Sequence, residues 1–164
     1  VLCAFRGVSV LTAMVFLNEL GDLNRFPSPH KLMAYLGLVP EVHQSGESSR
    51  RKGITKAGNA RLRHVMVQAA WKYISPRFAH TATMKAKRQH LPAWALEQSQ
   101  KAHKRLHGRF AHLSHTRGRC IAIPAVAREL ACFLHYALQT LAKNALQKKP
   151  FGSRGNSLEK PLYN

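Results

Sequence analysis

The chain's 164 residues, 45% of them hydrophobic, suffice for one domain with its own core and a tail, but not for two full domains. Lys and Arg number 26 against 7 Asp and Glu, a formal charge of +19, far more than solubility requires, so a polyanion is the expected partner. No apolar run approaches the ~18 residues of a membrane span, which predicts a soluble protein with no membrane partner.

In chain order, the first segment runs from Phe5-Arg6-Gly7-Val8-Ser9 into an apolar-periodic stretch that ends at Leu20-Gly21-Asp22, a turn feeding a short helix. Ser28-Pro29 supplies an N-cap and a proline at the first helical position, and Leu32, Met33 and Leu36 form the apolar stripe of a second short helix that stops at Gly37. Between about 38 and 56, Pro40, Gly46, Gly53 and a serine cluster break any helical period, so an irregular or β-ribbon insertion is expected there.

A clear helix follows Gly58-Asn59. Leu62, Val65, Met66, Ala69, Ala70 and Tyr73 fall on one face, with Arg61, His64, Gln68 and Lys72 on the other. Pro76 interrupts it. A further helix is predicted from Pro92 toward Leu113, with Lys101, Lys104, Arg105 and Arg109 outward, and a last one from Pro124 with a wide apolar stripe through Leu141. The reading is a mainly α fold, organised as a domain over 1–146 and a basic disordered tail over 147–164.

The positive charge is concentrated: from Ser48 to Arg119 there are 17 Lys or Arg residues and a single acid, Glu97. Such a stretch is self-repelling until phosphates neutralise it, and counterion release then makes nucleic-acid affinity salt-dependent. The loop from Gln44 to Asn59 adds small residues, hydroxyls and four cations leading into a helix N-terminus, a composition suited to binding phosphate. A serine hydroxyl needs a base or an electropositive setting before it attacks anything, and residue type alone leaves Ser45, Ser48 and Ser49 as equal candidates.

Other features point less far. His103, His107, His112 and His115 sit near helical spacing, yet no carboxylate or cysteine joins them, so no metal site is assigned. Trp71 and Trp94 could stack on bases, although a tryptophan at such a position is ordinarily core. Cys3, Cys120 and Cys132 are odd in number and form no C-x-x-C pair, which fits a reduced, cytoplasmic compartment and argues against a zinc ribbon.

The combination Phe26-Pro27-Ser28, Leu32-Met33-Ala34-Tyr35-Leu36-Gly37-Leu38-Val39-Pro40, Ser45-Gly46, Gly53-Ile54-Thr55-Lys56-Ala57-Gly58-Asn59 and Leu62-Arg63 closely resembles the C-terminal transposase domain of the IS110/IS116 insertion-sequence family. The likeness is densest over about residues 4 to 73 and continues more weakly to Ala127-Arg128-Glu129-Leu130-Ala131. The resemblance implies a recombinase of two parts: a ribonuclease-H-like domain whose four acidic residues hold divalent metal, Mg, and a C-terminal part with a serine that becomes linked to DNA. It further implies DNA as substrate, a structured bridge RNA as guide, and a homo-oligomer at full length. By its position beside Gly46, Ser45 matches the family's serine. Arg50, Arg51, Lys52, Thr55, Lys56, Asn59, Arg61 and Arg63 are the accompanying candidates for nucleic-acid contact.

The acidic cluster has no counterpart among Glu19, Asp22, Glu41 and Glu47, so no cofactor is expected in this chain. Together with Val1 in place of an initiating Met, this fits a fragment. Arg6-Gly7-Val8-Ser9 resembles the hairpin of a helix-hairpin-helix, with Ser9 where that motif has its second glycine. Two rival readings are a non-catalytic nucleic-acid-binding remnant of a degenerate element and a basic protein of the nucleoid type.

Overall fold

In the computed structural model the described residues are 1–45, 48–75, 86 and 89–147, with side chains undescribed from 42 to 52. The tail expected over 147–164 therefore lies, apart from Gln147, outside the described residues. Five helices and one two-stranded sheet make up the regular structure of this part: α1 Val10–Leu20, α2 Pro29–Tyr35, strands β1 Pro40–Ser45 and β2 Ser48–Ile54, α3 Ala60–Ala70, α4 Ala93–Arg117 and α5 Arg119–Gln147, with short 3-10 turns at Leu2–Ala4, Leu23–Arg25 and Trp71–Ile74. The fold is mainly α, as the patterning predicts.

The start is helix-hairpin-helix-like. The Leu2–Ala4 turn and α1 are joined through Phe5–Ser9, and Ser9 caps α1 by accepting from the Thr12 amide at 3.1 Å. The hairpin packs inward: Phe5 and Val8 are buried, Gly7 abuts the Ala69 backbone of α3, and the Arg6 guanidinium donates to the Ser75 carbonyl at 3.4 Å. Burial pulls the Arg6 pKa below its ordinary value.

α5 is the central helix, packing against α4, α3 and α2. By length and composition it could cross a membrane, but half of that apolar stretch is buried inside this protein, where Val126, Leu130, Leu134 and Ala137 form its core stripe. It begins at Arg119, five residues before the expected Pro124. The physical reason is position: near the N-terminus a proline forfeits one ladder hydrogen bond, and the long buried stripe that follows offsets the loss.

Between α4 and α5 the whole reversal is made by Gly118, at φ 80 and ψ 162, a left-sided conformation that a side chain would strain. The two helices therefore run antiparallel as a hairpin, and Arg105 and Arg109 of α4 meet Glu129 of α5 across it.

Two histidines are absorbed into this packing. His135 is buried with Nε2 2.7 Å from the Phe26 carbonyl, which fixes that nitrogen as the donor, and His103 is buried with its ring stacked 6.3 Å from that of His107. His112 and His115 are exposed. Trp94 packs on the core as expected, whereas Trp71 stays 43% exposed because it begins the turn that leaves α3.

Candidate nucleic-acid interface

β1 and β2 form an antiparallel ribbon in which Ser45 pairs with Ser48, Gln44 with Ser49, His43 with Arg50 and Val42 with Arg51. Ser45 and Ser48 thus hold facing positions at the tip, in the same pleat phase as His43 and Arg50, while Ser49 and Arg51 share the other phase. Toward the root, β1 steps two residues from Val42 to Pro40 while β2 steps three from Arg51 to Ile54. This bulge takes in Lys52 and Gly53, and such an extra residue bends and twists the ribbon.

The root is tied to the helices by backbone bonds. The Thr55 amide donates to the Val39 carbonyl at 3.0 Å, the Lys56 amide to Gly37 at 3.2 Å, and the Asn59 amide to Tyr35 at 2.8 Å. Lys56 takes a positive φ of 56 without being glycine, a costly conformation that the flanking bonds hold in place. At Gly58, φ 114, a Cβ would collide with the Tyr35 carbonyl. Only glycine lets the returning chain approach α2 this closely.

Side chains complete the clamp. Asn59 is the N-cap of α3: its Oδ1 accepts from the Leu62 amide at 2.8 Å while its Nδ2 donates to Glu19 at 2.7 Å and to the Tyr35 hydroxyl at 3.3 Å. Tyr35 in turn donates to the Glu19 carbonyl at 3.2 Å, and Arg61 reaches the Glu19 carboxylate at 3.2 Å. The bond from Asn59, and then that from Arg61, hold the Glu19 pKa below the ordinary carboxylate value. Arg63 donates to the Leu36 carbonyl at 3.1 Å. Arg25 lies over the rings of Phe26 and Tyr35, 5.5 and 5.6 Å from their centroids, a cation–π contact beside the clamp.

The nine site residues read from the sequence thus divide by position. Ser45, Arg50, Arg51 and Lys52 lie on the ribbon, Thr55 and Lys56 at its root, and Asn59, Arg61 and Arg63 at the start of α3. Asn59 and Arg63 are engaged in holding the root, whereas the Arg61 side chain is 76% exposed despite its ion pair. Lys56 is exposed. Sequence reasoning misses Glu19, whose partners lie 40 and 42 residues away, beyond any local pattern. It also misses the fork that Glu129 makes with Arg105 and Arg109, for which the i, i+4 spacing of the arginines is the only local signal.

Among the described residues no group of three His, Cys, Asp or Glu could hold a metal ion. Local acids are instead paired with cations: Glu19 with Arg61, Glu97 with Lys101 at 2.6 Å, and Glu129 with Arg105 and Arg109. Among the described residues this donor set does not suit Mg.

Comparison with known proteins bears on what this architecture belongs to. The chain is similar to a putative transposase, y4qE, of Sinorhizobium fredii, with 43% identity over 134 residues, 80% of this chain and 34% of that protein. It is 39% identical over 64 residues to the transposase of insertion sequence element IS1111A from Coxiella burnetii, covering 39% of this chain and 18% of that one. The transposase of element IS1533 from Leptospira borgpetersenii shares 28% over 124 residues, 74% of this chain and 35% of its own length. The chain therefore spans about a third or less of the curated relatives it matches. No solved structure matches it. Residues 1–87, which run from the N-terminal hairpin through the ribbon and α3, match the model of the transposase IS116/IS110/IS902 family, and the chain belongs to that family.

Proposed function

We propose that this chain is the DNA-handling part of a transposase, in which the ribbon carries both the phosphate-binding cations and the serine that cleaves and rejoins DNA. The observation that carries the reading is the ribbon itself: a cation-rich hairpin with Ser45 at its tip, rooted in a hydrogen-bonded clamp on the helical body. A short, firmly rooted arm can bring a hydroxyl to a phosphodiester while the body holds the duplex.

In the proposed step the Ser45 Oγ–H bond breaks and Oγ bonds to phosphorus. The bridging P–O bond of the DNA strand breaks, and the proton ends on the leaving deoxyribose oxygen. The phosphoserine ester conserves the bond energy of the phosphodiester, so attack by a second DNA hydroxyl reverses the step and joins a new strand. Arg50, Arg51, Lys52 and Lys56 offset the charge that develops on the phosphoryl oxygens, and Thr55, Arg61 and Arg63 flank the approach. Divalent metal, Mg, is assigned in this proposal to the acidic domain that the family resemblance implies. A structured guide RNA, assembly into oligomers and a cytoplasmic location complete the proposal.

Binding to a labelled duplex at a series of salt concentrations tests the first half of this reading. Log affinity should fall linearly with log salt; a flat line would remove the phosphate-contact account. The second half requires a protein of family length that contains these residues, incubated with labelled DNA and run on a denaturing gel. A covalent adduct is expected, whereas a non-catalytic binding module or a nucleoid-type protein would bind without forming one.

A further inference from the structure

Resting on the nucleic-acid reading above, we propose that a groove in the α4–α5 hairpin is a second contact site, one that takes a single unpaired nucleotide, with its base against Tyr136 and Phe133 and its phosphate on Arg105 and Arg109. The groove has a volume of about 470 Å³ and is lined by Pro29, Gln98, Arg105, Glu129, Phe133 and Tyr136, together with Cys132. That volume falls in the range of pockets that hold one small ligand. Its walls come from two facing rows at helical spacing, Gln98 and Arg105 along α4 and Glu129, Cys132, Phe133 and Tyr136 along α5, and Arg109, one turn on from Arg105, adjoins it through Glu129.

The two ends of the groove differ in chemistry. At one end the Glu129 carboxylate, 17% exposed, receives Arg105 through Nε at 3.2 Å and Arg109 through Nε at 3.5 Å. One acid thus orients two guanidiniums, and the pair keeps a net positive charge. A guanidinium carries five donors in a planar fork, so engagement through Nε is compatible with the Nη donors taking a phosphate. At the other end Tyr136 is 53% exposed, which is unusual for so large a ring on a core helix, and Phe133 beside it is partly buried against the core. An aromatic face next to an oriented cation is the combination by which proteins hold single-stranded nucleic acid, since every base offers a π-face for stacking. A base within a duplex keeps its faces stacked on its neighbours, so the groove discriminates for unpaired nucleotides.

The test compares Tyr136→Ala, Tyr136→Phe and Arg105→Ala with the unaltered chain, measuring affinity for a short single-stranded DNA, a single-stranded RNA of matching sequence and the fully paired DNA duplex, all at one salt concentration. Tyr136→Ala should weaken single-strand binding about tenfold and change duplex binding less than twofold, Tyr136→Phe should bind like the unaltered chain, and Arg105→Ala should weaken the single strands more than the duplex. A loss restricted to DNA or to RNA identifies which strand the groove serves. Equal weakening of single strand and duplex by Tyr136→Ala, or no weakening of either, overturns the groove while leaving the ribbon reading intact. If the unaltered chain binds neither polyanion, the groove and the broader reading both fall.

Discussion

The ribbon and the α4–α5 hairpin are both two antiparallel segments joined by a short reversal, yet they are held in opposite ways. The hairpin is stabilised by side chains: buried Ala102, Leu106 and Phe110 on one helix meet Val126, Leu130 and Leu134 on the other. The ribbon is bonded strand to strand, and an isolated two-stranded hairpin is marginal in water, so what holds it is the clamp at its root. The lesson is that the ribbon's position is decided by residues outside it. Glu19, Tyr35, Gly58 and Asn59 should govern where the arm stands, and the cations along it should matter to stability hardly at all.

The largest effect expected from this contrast is at Gly58. Gly58→Ala puts a Cβ into the Tyr35 carbonyl at a φ of 114, and thermal unfolding should report a loss of about 2–4 kcal/mol. An unchanged midpoint would mean that the root is softer than the clamp implies. Next comes Asn59→Ala, which removes the cap of α3 and the bond to Glu19. A loss of about 1–2 kcal/mol is expected in chemical denaturation, with Asn59→Asp recovering little because a second carboxylate would face Glu19.

Glu19 gives the contrast a pH signature. Its pKa in the folded protein lies below the ordinary value, so its contribution is present above the unfolded carboxyl pKa and lost as pH falls through the folded one. Glu19→Gln should flatten that acid limb of the stability profile. An identical acid limb in both proteins would show that the carboxylate does not brace the root. The smallest stability effect belongs to the triple change of Arg50, Arg51 and Lys52 to Ala, within about 0.5 kcal/mol by thermal unfolding. The same change should lower the log-affinity against log-salt slope for duplex DNA by up to about 3.

How much of this was legible in the sequence follows the same division. Local signals carry the start of α2 at Ser28-Pro29, the cap at Asn59, the apolar stripe of α3 and the break between 38 and 56, because capping and periodicity act within a few residues. Even there the signal is partial: Ser28 occupies the N-cap of α2 but its side chain makes no capping bond. The Pro124 signal misplaces the start of α5, since a stop rule that acts on one residue is outweighed by a stripe that buries nine. Trp71 defeats the expectation that large aromatics are core, because the exit of the chain from α3 leaves its position uncovered. The clamp and the Glu129 fork join residues 16 to 42 apart, and no periodicity encodes such pairs. The candidate serine was legible only through the family resemblance; the register adds that Ser45 faces Ser48 and lies out of phase with Ser49.

That register makes the central claim testable at single-residue level. In a protein of family length containing these residues, Ser45→Ala, Ser48→Ala and Ser49→Ala are each incubated with labelled DNA and resolved on a denaturing gel. Each change deletes one hydroxyl and little packing, so any loss should lie in the chemical step and not in folding or binding. The expected result is that the slow-migrating covalent adduct disappears with Ser45→Ala and persists with the other two. An adduct that survives Ser45→Ala would contradict it.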